Sequence, residues 1–187
     1  LPRDASVLDV GTGLGRLTME YARIASNGEV IGLDIAHASA ATARKIVCGD
    51  EGYSFFYRTD GTGGKYYEEA FLPGFGLPNA HFLVADIQHL PLAAGQFDAL
   101  ISTNMINLTP DPRAALNRLI PLLRPGGRLI IGDLFLWRLE TPPARRCFPH
   151  RADMVNYLQA CGLVIRQEFG QLPYINFWHE ERQNVWR

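Results

Sequence analysis

The stretch Val7-Leu8-Asp9-Val10-Gly11-Thr12-Gly13-Leu14-Gly15 constrains this chain more than any other. A short apolar run ending in an acid, then three glycines at alternate positions, reads as a strand, a tight turn and the start of a helix. Glycine tolerates positive φ and lets a ligand approach the backbone, so the turn suits a nucleotide-like ligand that a side chain would exclude. A turn that joins strand to helix and holds nothing is the plain alternative. In a dinucleotide fingerprint the glycines occupy the first, third and sixth positions, the last for close helix packing. Here the sixth position is Arg16.

Similar runs follow at regular distances. Val30-Ile31-Gly32-Leu33-Asp34-Ile35 ends in an acid roughly 20 residues on, where doubly wound folds put a carboxylate on ribose hydroxyls. Phe82-Leu83-Val84-Ala85-Asp86-Ile87 is a third such run, and Phe97-Asp98-Ala99-Leu100-Ile101-Ser102 a fourth. Leu122 to Asp133 carries Arg124-Pro125-Gly126-Gly127 and then Arg128-Leu129-Ile130-Ile131. Helical spacing of apolar residues marks Leu14 to Ala25, Ala38 to Val47, Pro112 to Leu123 and Arg151 to Cys161. Strands are expected near 7–10, 30–34, 81–85, 97–102, 128–133, 163–168 and 174–179. The last two lie close enough to pair antiparallel. The pattern predicts an α/β chain with a doubly wound, mostly parallel seven-stranded sheet and an antiparallel C-terminal edge pair.

Composition narrows the partners. The 187 residues are 47% hydrophobic and carry a formal net charge of −1, sufficient for one domain over 1–187 with a buried core. Such a balance gives no electrostatic footing for nucleic acid, and no apolar stretch reaches the roughly 20 residues that span a bilayer. A cytoplasmic location is the default expectation. Three scattered cysteines, Cys48, Cys147 and Cys161, form neither a disulfide framework nor a metal pair, so reduced thiols and no metal are expected.

Two segments depart from a minimal fold. Gly49 to Pro78 is about twice the usual connection length and rich in aromatics: Tyr53, Phe55, Phe56, Tyr57, Tyr66, Tyr67, Phe71 and Phe75. These suit a substrate wall and a satellite core equally well. The first strand also begins almost at once.

The alternate-glycine turn, the acids at Asp34 and Asp86, and the Pro125-Gly126-Gly127 turn together resemble the class I S-adenosylmethionine-dependent methyltransferases, from Val7 to about Asp133. The resemblance implies a Rossmann-like fold with S-adenosylmethionine as cofactor. It implies that backbone around Gly11, Thr12, Gly13 and Gly15 passes beneath the methionine part, and that Asp9 orders the amino-acid end. Asp34 takes the ribose hydroxyls, Ile35 and Ile87 sandwich the adenine, and Asp86 reads its exocyclic amine. Ser102 and Thr103 bring backbone toward the methionine ammonium. Relatives generally have helices before the first strand, so their cover would fall to a partner chain, a homo-oligomer or the 49–78 insert. In the loop that faces substrate in the family, Asn104 and Asn107 are the candidates for orienting a small-molecule acceptor. That loop is not the (Asp or Asn)-Pro-Pro-(aromatic) motif of enzymes acting on amide or base nitrogen.

Within the family the nearest likeness is to arsenite methyltransferases and quinone-biosynthesis C-methyltransferases. Arsenite enzymes hold trivalent arsenic with thiolates, soft ligands for a soft centre. No cysteine follows the fifth strand here, and Met105 stands where those enzymes often have one. A binding subunit without catalysis and a nucleotide-linked oxidoreductase are the readings from other classes; Arg16 and Asp86 count against the second.

Overall fold

The computed structural model describes residues 1–61, 64–133, 147–148 and 150–170, and the side chains among these except within 57–66. Contacts divide the chain into two compact units, Leu1–Cys147 and Phe148–Arg187. In the first unit the order is β1 (Ser6–Val10), α1 (Arg16–Ile24), β2 (Glu29–Asp34), α2 (His37–Cys48), β3 (Tyr53–Gly61), β4 (Gly64–Leu72), β5 (Ala80–Val84), β6 (Phe97–Thr103), α3 (Pro112–Leu119) and β7 (Leu123–Gly132). Single 3-10 turns lie at Ile87–His89, Ile106–Leu108 and Ile120–Leu122.

Five strands form a parallel sheet in the order β5-β2-β1-β6-β7. The chain runs outward from β1 through β2 to β5, then returns to β6 on the other side of β1. That reversal opens a crevice beyond the carboxyl ends of β1 and β6, where sheets of this kind bind ligands. The central strands are largely apolar, as in a parallel sheet covered on both faces. Val7, Leu8, Val10, Ala99, Leu100 and Ile101 are each at most 1% exposed. Met19 and Ala22 of α1 join Val7 and Val30 in one core cluster. Asp111 caps α3, its side chain accepting the Ala114 N–H at 3.0 Å, with Pro112 in the first turn.

The Pro125-Gly126-Gly127 turn lies in a break in the β6–β7 register. Phe97 pairs with Leu123 and Ala99 with Arg128, so Arg124 to Gly127 loop outward. Asp98 fastens the amino ends of the strands, its Oδ2 accepting from the Ser6 N–H at 2.8 Å and from Arg124 Nη1 at 2.7 Å.

The sheet differs from the expectation of seven strands with a C-terminal antiparallel pair. Residues 163–168 are described without strand structure, and Val164 is 71% exposed. A ladder needs a partner, and the one expected, 174–179, lies outside the described residues. The antiparallel pair is instead β3–β4, a separate two-stranded sheet inside the 49–78 insert. Two runs rich in aromatics, which favour strands, pair from Tyr53 with Leu72 to Gly61 with Gly64. The stem of this hairpin joins the end of α2 to the start of β5, with Phe75 N–H on Ile46 O and Leu77 N–H on Val47 O. It therefore leaves from the amino end of the sheet, opposite the glycine turn.

In the second unit α4 (Arg151–Ala160) begins with a capping box, the His150 N–H donating to Asp153 Oδ2 at 2.8 Å. Gly162, at φ 86°, ends it, its N–H on Gln159 O. Among the described residues no helix is long and apolar enough to cross a membrane.

Candidate functional site

The glycine turn leaves β1 and is at once sewn to β2. Gly11 and Thr12 N–H groups both donate to Leu33 O, at 2.8 and 2.9 Å, and Gly15 N–H donates to Thr12 O at 2.9 Å. Gly13 has φ 55°, a region side chains rarely adopt, and a Cβ there would meet nothing within 4 Å. The outer face of the turn is thus open backbone.

Beneath the turn lies a buried polar chain. Asp9 is 1% and Thr18 0% exposed. Thr18 Oγ1 donates to Asp9 Oδ2 at 2.8 Å, and Thr12 Oγ1 lies 2.7 Å from Thr18 Oγ1. Burial pushes the Asp9 carboxyl above its ordinary range, with the Asp34 charge adding to it, against the pull of the Thr18 and Thr12 hydroxyls. Gly32, opposite Asp9 on β2, makes the room: a Cβ there would stand 2.6 Å from Thr18 Oγ1 and 2.8 Å from Thr12 Oγ1. Neither Thr18 nor Gly32 was singled out by motif. The signals were a hydroxyl on the apolar face of α1 and a glycine inside an apolar strand, which marks close approach.

Asp34, at the end of β2, accepts the Gly13 N–H on Oδ2 and the Ala36 N–H on Oδ1, both at 2.9 Å. Each carboxylate oxygen has a second acceptor site for a ligand hydroxyl. Ala85 N–H donates to Asp34 O at 3.1 Å, which brings the end of β5 alongside. Half-buried Asp86 follows, its Oδ1 accepting the Gln88 N–H at 2.8 Å. Ile35 is 70% exposed and Ile87 8%. The two isoleucines are therefore unequal: Ile35 offers a free apolar surface, whereas most of Ile87 packs inward.

On the other side of the switch point Ser102 stands opposite Val10, buried, its Oγ without a hydrogen-bond partner among the described residues. Thr103 pairs with Gly132. Asn104 takes φ 53°, a left-handed conformation in which asparagine is enriched, and its N–H donates to Gly132 O at 2.7 Å. The Asn107 N–H donates to Asp133 Oδ2 at 3.1 Å. Met105, between them, packs on the glycine turn, its Cγ lying 2.7 Å from where a Gly11 Cβ would be. The ends of β1, β2, β5 and β6 thus bring Asp9, Gly11, Thr12, Gly13, Asp34, Asp86, Ser102, Thr103 and Asn104 to one edge of the sheet. Among the described residues no group of three or more His, Cys, Asp or Glu could hold a metal ion.

A doubly wound sheet with an open glycine turn at its switch point and an acid closing the second strand defines a nucleoside-binding α/β domain. Its family follows from sequence: residues 8–131 match the methyltransferase domain model, and the chain belongs to that family, in the class I S-adenosylmethionine-dependent group. It is 31% identical over 180 residues to an arsenite methyltransferase of Aquipseudomonas alcaligenes, covering 95% of this chain and 43% of that protein. It is 27% identical over 171 residues to a demethylmenaquinone methyltransferase of Thermus thermophilus, covering 90% and 63%. The chain therefore spans less than two thirds of the length of either relative. The fold is shared with a SAM dependent methyltransferase from Aquifex aeolicus, at TM-score 0.60 and 19% identity over 87% of this chain and 74% of that one.

The cofactor of this family is S-adenosylmethionine. The residues present fit it, because the turn leaves a Cβ-free face at Gly13, Asp34 keeps acceptor capacity, and Ser102 Oγ is a buried polar atom with no partner among the described residues.

Proposed function

We propose that this chain, as a single domain over residues 1–187, is a catalytic methyltransferase that uses S-adenosylmethionine and acts on a small-molecule acceptor. The observation that carries the reading is the meeting of the open glycine turn with the Asn104–Asn107 loop through Met105 and Gly11. One side of that meeting suits a donor and the other an acceptor. Gly11 to Gly13 supply backbone beneath the amino-acid end, Asp34 takes ribose hydroxyls, Asp86 accepts from the adenine amine, and Ile35 covers the ring. When bound, the sulfonium supplies an already activated methyl group. What the protein contributes is in-line alignment, a matter of holding two ligands in register. Asn104, fixed in an unusual backbone conformation, and Asn107, tied to the end of β7, orient the acceptor.

Among acceptors, the arsenite relative favours a metalloid as the second reading. Cys48 does not support it: the thiol donates to Ala80 O at 3.1 Å at the amino end of the sheet, and burial pushes it up, against the pull of Arg44. Calorimetry with S-adenosylmethionine, S-adenosylhomocysteine and NAD tests the donor, followed by a methyl-transfer screen over quinones, phenols, thiols, amines and arsenite. We expect both sulfur compounds to bind and NAD not to. Asp34→Ala should weaken them by roughly 10- to 100-fold, the worth of a hydrogen bond to a charged group. Binding without turnover on any acceptor would turn the assignment to a non-catalytic cofactor-binding subunit.

A further inference from the structure

We propose that Thr18 is a positioning residue for the glycine turn: held between Asp9 and Thr12, its hydroxyl turns the Thr12 side chain inward and keeps the backbone of Gly11–Gly13 clear for the cofactor. The functional half of this rests on the cofactor reading above, while the clamp itself is a property of the unliganded chain. The Thr18 hydroxyl bonds Asp9 Oδ2, 2.8 Å away. At the 2.7 Å contact between the hydroxyls either oxygen can be the donor, and the Thr12 hydroxyl also bonds the Asp9 carboxyl. Both hydroxyls are thus gathered on one buried carboxylate, with Thr18 bonded to Asp9 and in contact with Thr12.

Thr12 carries the only side chain between Gly11 and Gly13. Its N–H is bound to Leu33 O and its carbonyl accepts the Gly15 N–H, so the hydroxyl is the third point of attachment. Were it free to rotate outward, the side chain would lie on the face that Gly13 leaves open. Gly32 is an independent sign that the pair has a built place, since any Cβ there would collide with both hydroxyl oxygens. Thr18 touches neither donor nor acceptor; it acts through Thr12.

The test uses the full chain carrying Thr18→Val, which keeps the branched shape without the hydroxyl, and Thr18→Ser, which restores the hydroxyl alone. Two measurements are made: calorimetric titration with S-adenosylhomocysteine, and amide hydrogen exchange of residues 11–15 without ligand. We expect Thr18→Val to raise Kd about tenfold, equivalent to one hydrogen bond, and to speed exchange in the turn. Thr18→Ser should stay within twofold of the parent in both. Thr12→Val should reproduce the loss, and adding it to Thr18→Val should cost little more, since the two act as one unit. A Thr18→Val protein that melts earlier but keeps its Kd and its exchange rates would overturn the proposal and leave Thr18 a packing residue. If the parent chain binds no S-adenosylhomocysteine, the cofactor reading fails and the exchange data still decide the clamp. Should Thr18→Val not fold, Thr12→Val carries the same two readouts.

Discussion

Asp9, at the carboxyl end of β1, is 1% exposed and bonded to a buried hydroxyl. Asp98, at the amino end of β6, has a side chain 32% exposed and is bonded to a backbone N–H and a guanidinium. Burial raises the first above its ordinary value; the Ser6 N–H and then Arg124 lower the second. The difference separates two uses of one residue type. Asp98 fastens strands, and its charge stabilises the fold. Asp9 shapes a turn beside a ligand crevice, and its charge opposes the fold. Polar groups held at a cost in stability gather where function needs a set geometry.

The largest effect should come from removing the space on which the carboxyl end depends. Gly32→Val places a Cβ within 3 Å of Thr18 Oγ1, Thr12 Oγ1 and Phe82 Cε1. Overpacking of this kind costs about 1–3 kcal/mol. Because the strain falls on the Thr12–Thr18 pair, cofactor affinity should drop by about 100-fold or more, beyond the roughly 10-fold lost with one hydrogen bond. Melting curves and calorimetry read both. A folded Gly32→Val protein with parental affinity would break the contrast, because the turn would then tolerate disturbance as any surface loop does.

Much of this carboxyl end was legible in the sequence, and the reason is topological. In a parallel sheet covered on both faces, strands are contiguous apolar runs with acids at their ends, so Asp9, Asp34 and Asp86 stand where the runs stop. The turn residues could be found because glycine spacing is local. Thr18 left only the weaker sign of a hydroxyl on an apolar helix face, since its pairing with Thr12 depends on how α1 lies over β1 and β2. Ile35 and Ile87, which the family resemblance pairs, differ in exposure, 70% against 8%, with Ile87 at the start of a 3-10 turn. The hairpin was hidden by its own aromatics. Tyr53 and Phe55 lie on one face while Phe56 and Phe71 lie on the other, so no period of two emerges. Residues 163–168 show the converse, an apolar run without a ladder, because strand pairing is decided by partners distant in sequence.

A smaller effect sharpens the contrast between the aspartates. The folded-state carboxyl of Asp98 lies below its ordinary 3.8, so its contribution is fully present above pH 3.8 and is lost as pH falls through the lower folded value. Asp9 has the opposite sign: its folded value lies above 3.8, and stability falls as pH rises from 3.8 through that higher value. Asp98→Asn should cost about 1 kcal/mol at neutral pH, reduced by solvent screening of the Arg124 pair, and should flatten the acid limb of a denaturation series. Asp9→Asn should instead remove the decline above pH 3.8. Matching pH profiles in the two variants would mean that the ends of the sheet do not differ in this respect.

The smallest effect concerns the hairpin, whose stem leaves from the end of the sheet away from the crevice. Phe56, Tyr67 and Phe71 share one face of β3–β4, since Phe56 pairs with Glu69 and Ser54 with Phe71, and are 71%, 73% and 60% exposed. Side chains so exposed contribute little to the fold, and substitutions there are usually within about 0.5 kcal/mol. Phe56→Ser and Tyr67→Ser should therefore leave the melting temperature nearly unchanged and the cofactor Kd within twofold. A marked loss of cofactor affinity in either variant would mean that the hairpin reaches the crevice from the far end and serves as its cover. An unchanged Kd with a raised KM for the acceptor found in the screen would assign the aromatic face to the acceptor alone. Either result would tie the two ends of the sheet to one function. The parental values in all three measurements would keep them separate, with binding confined to the carboxyl end.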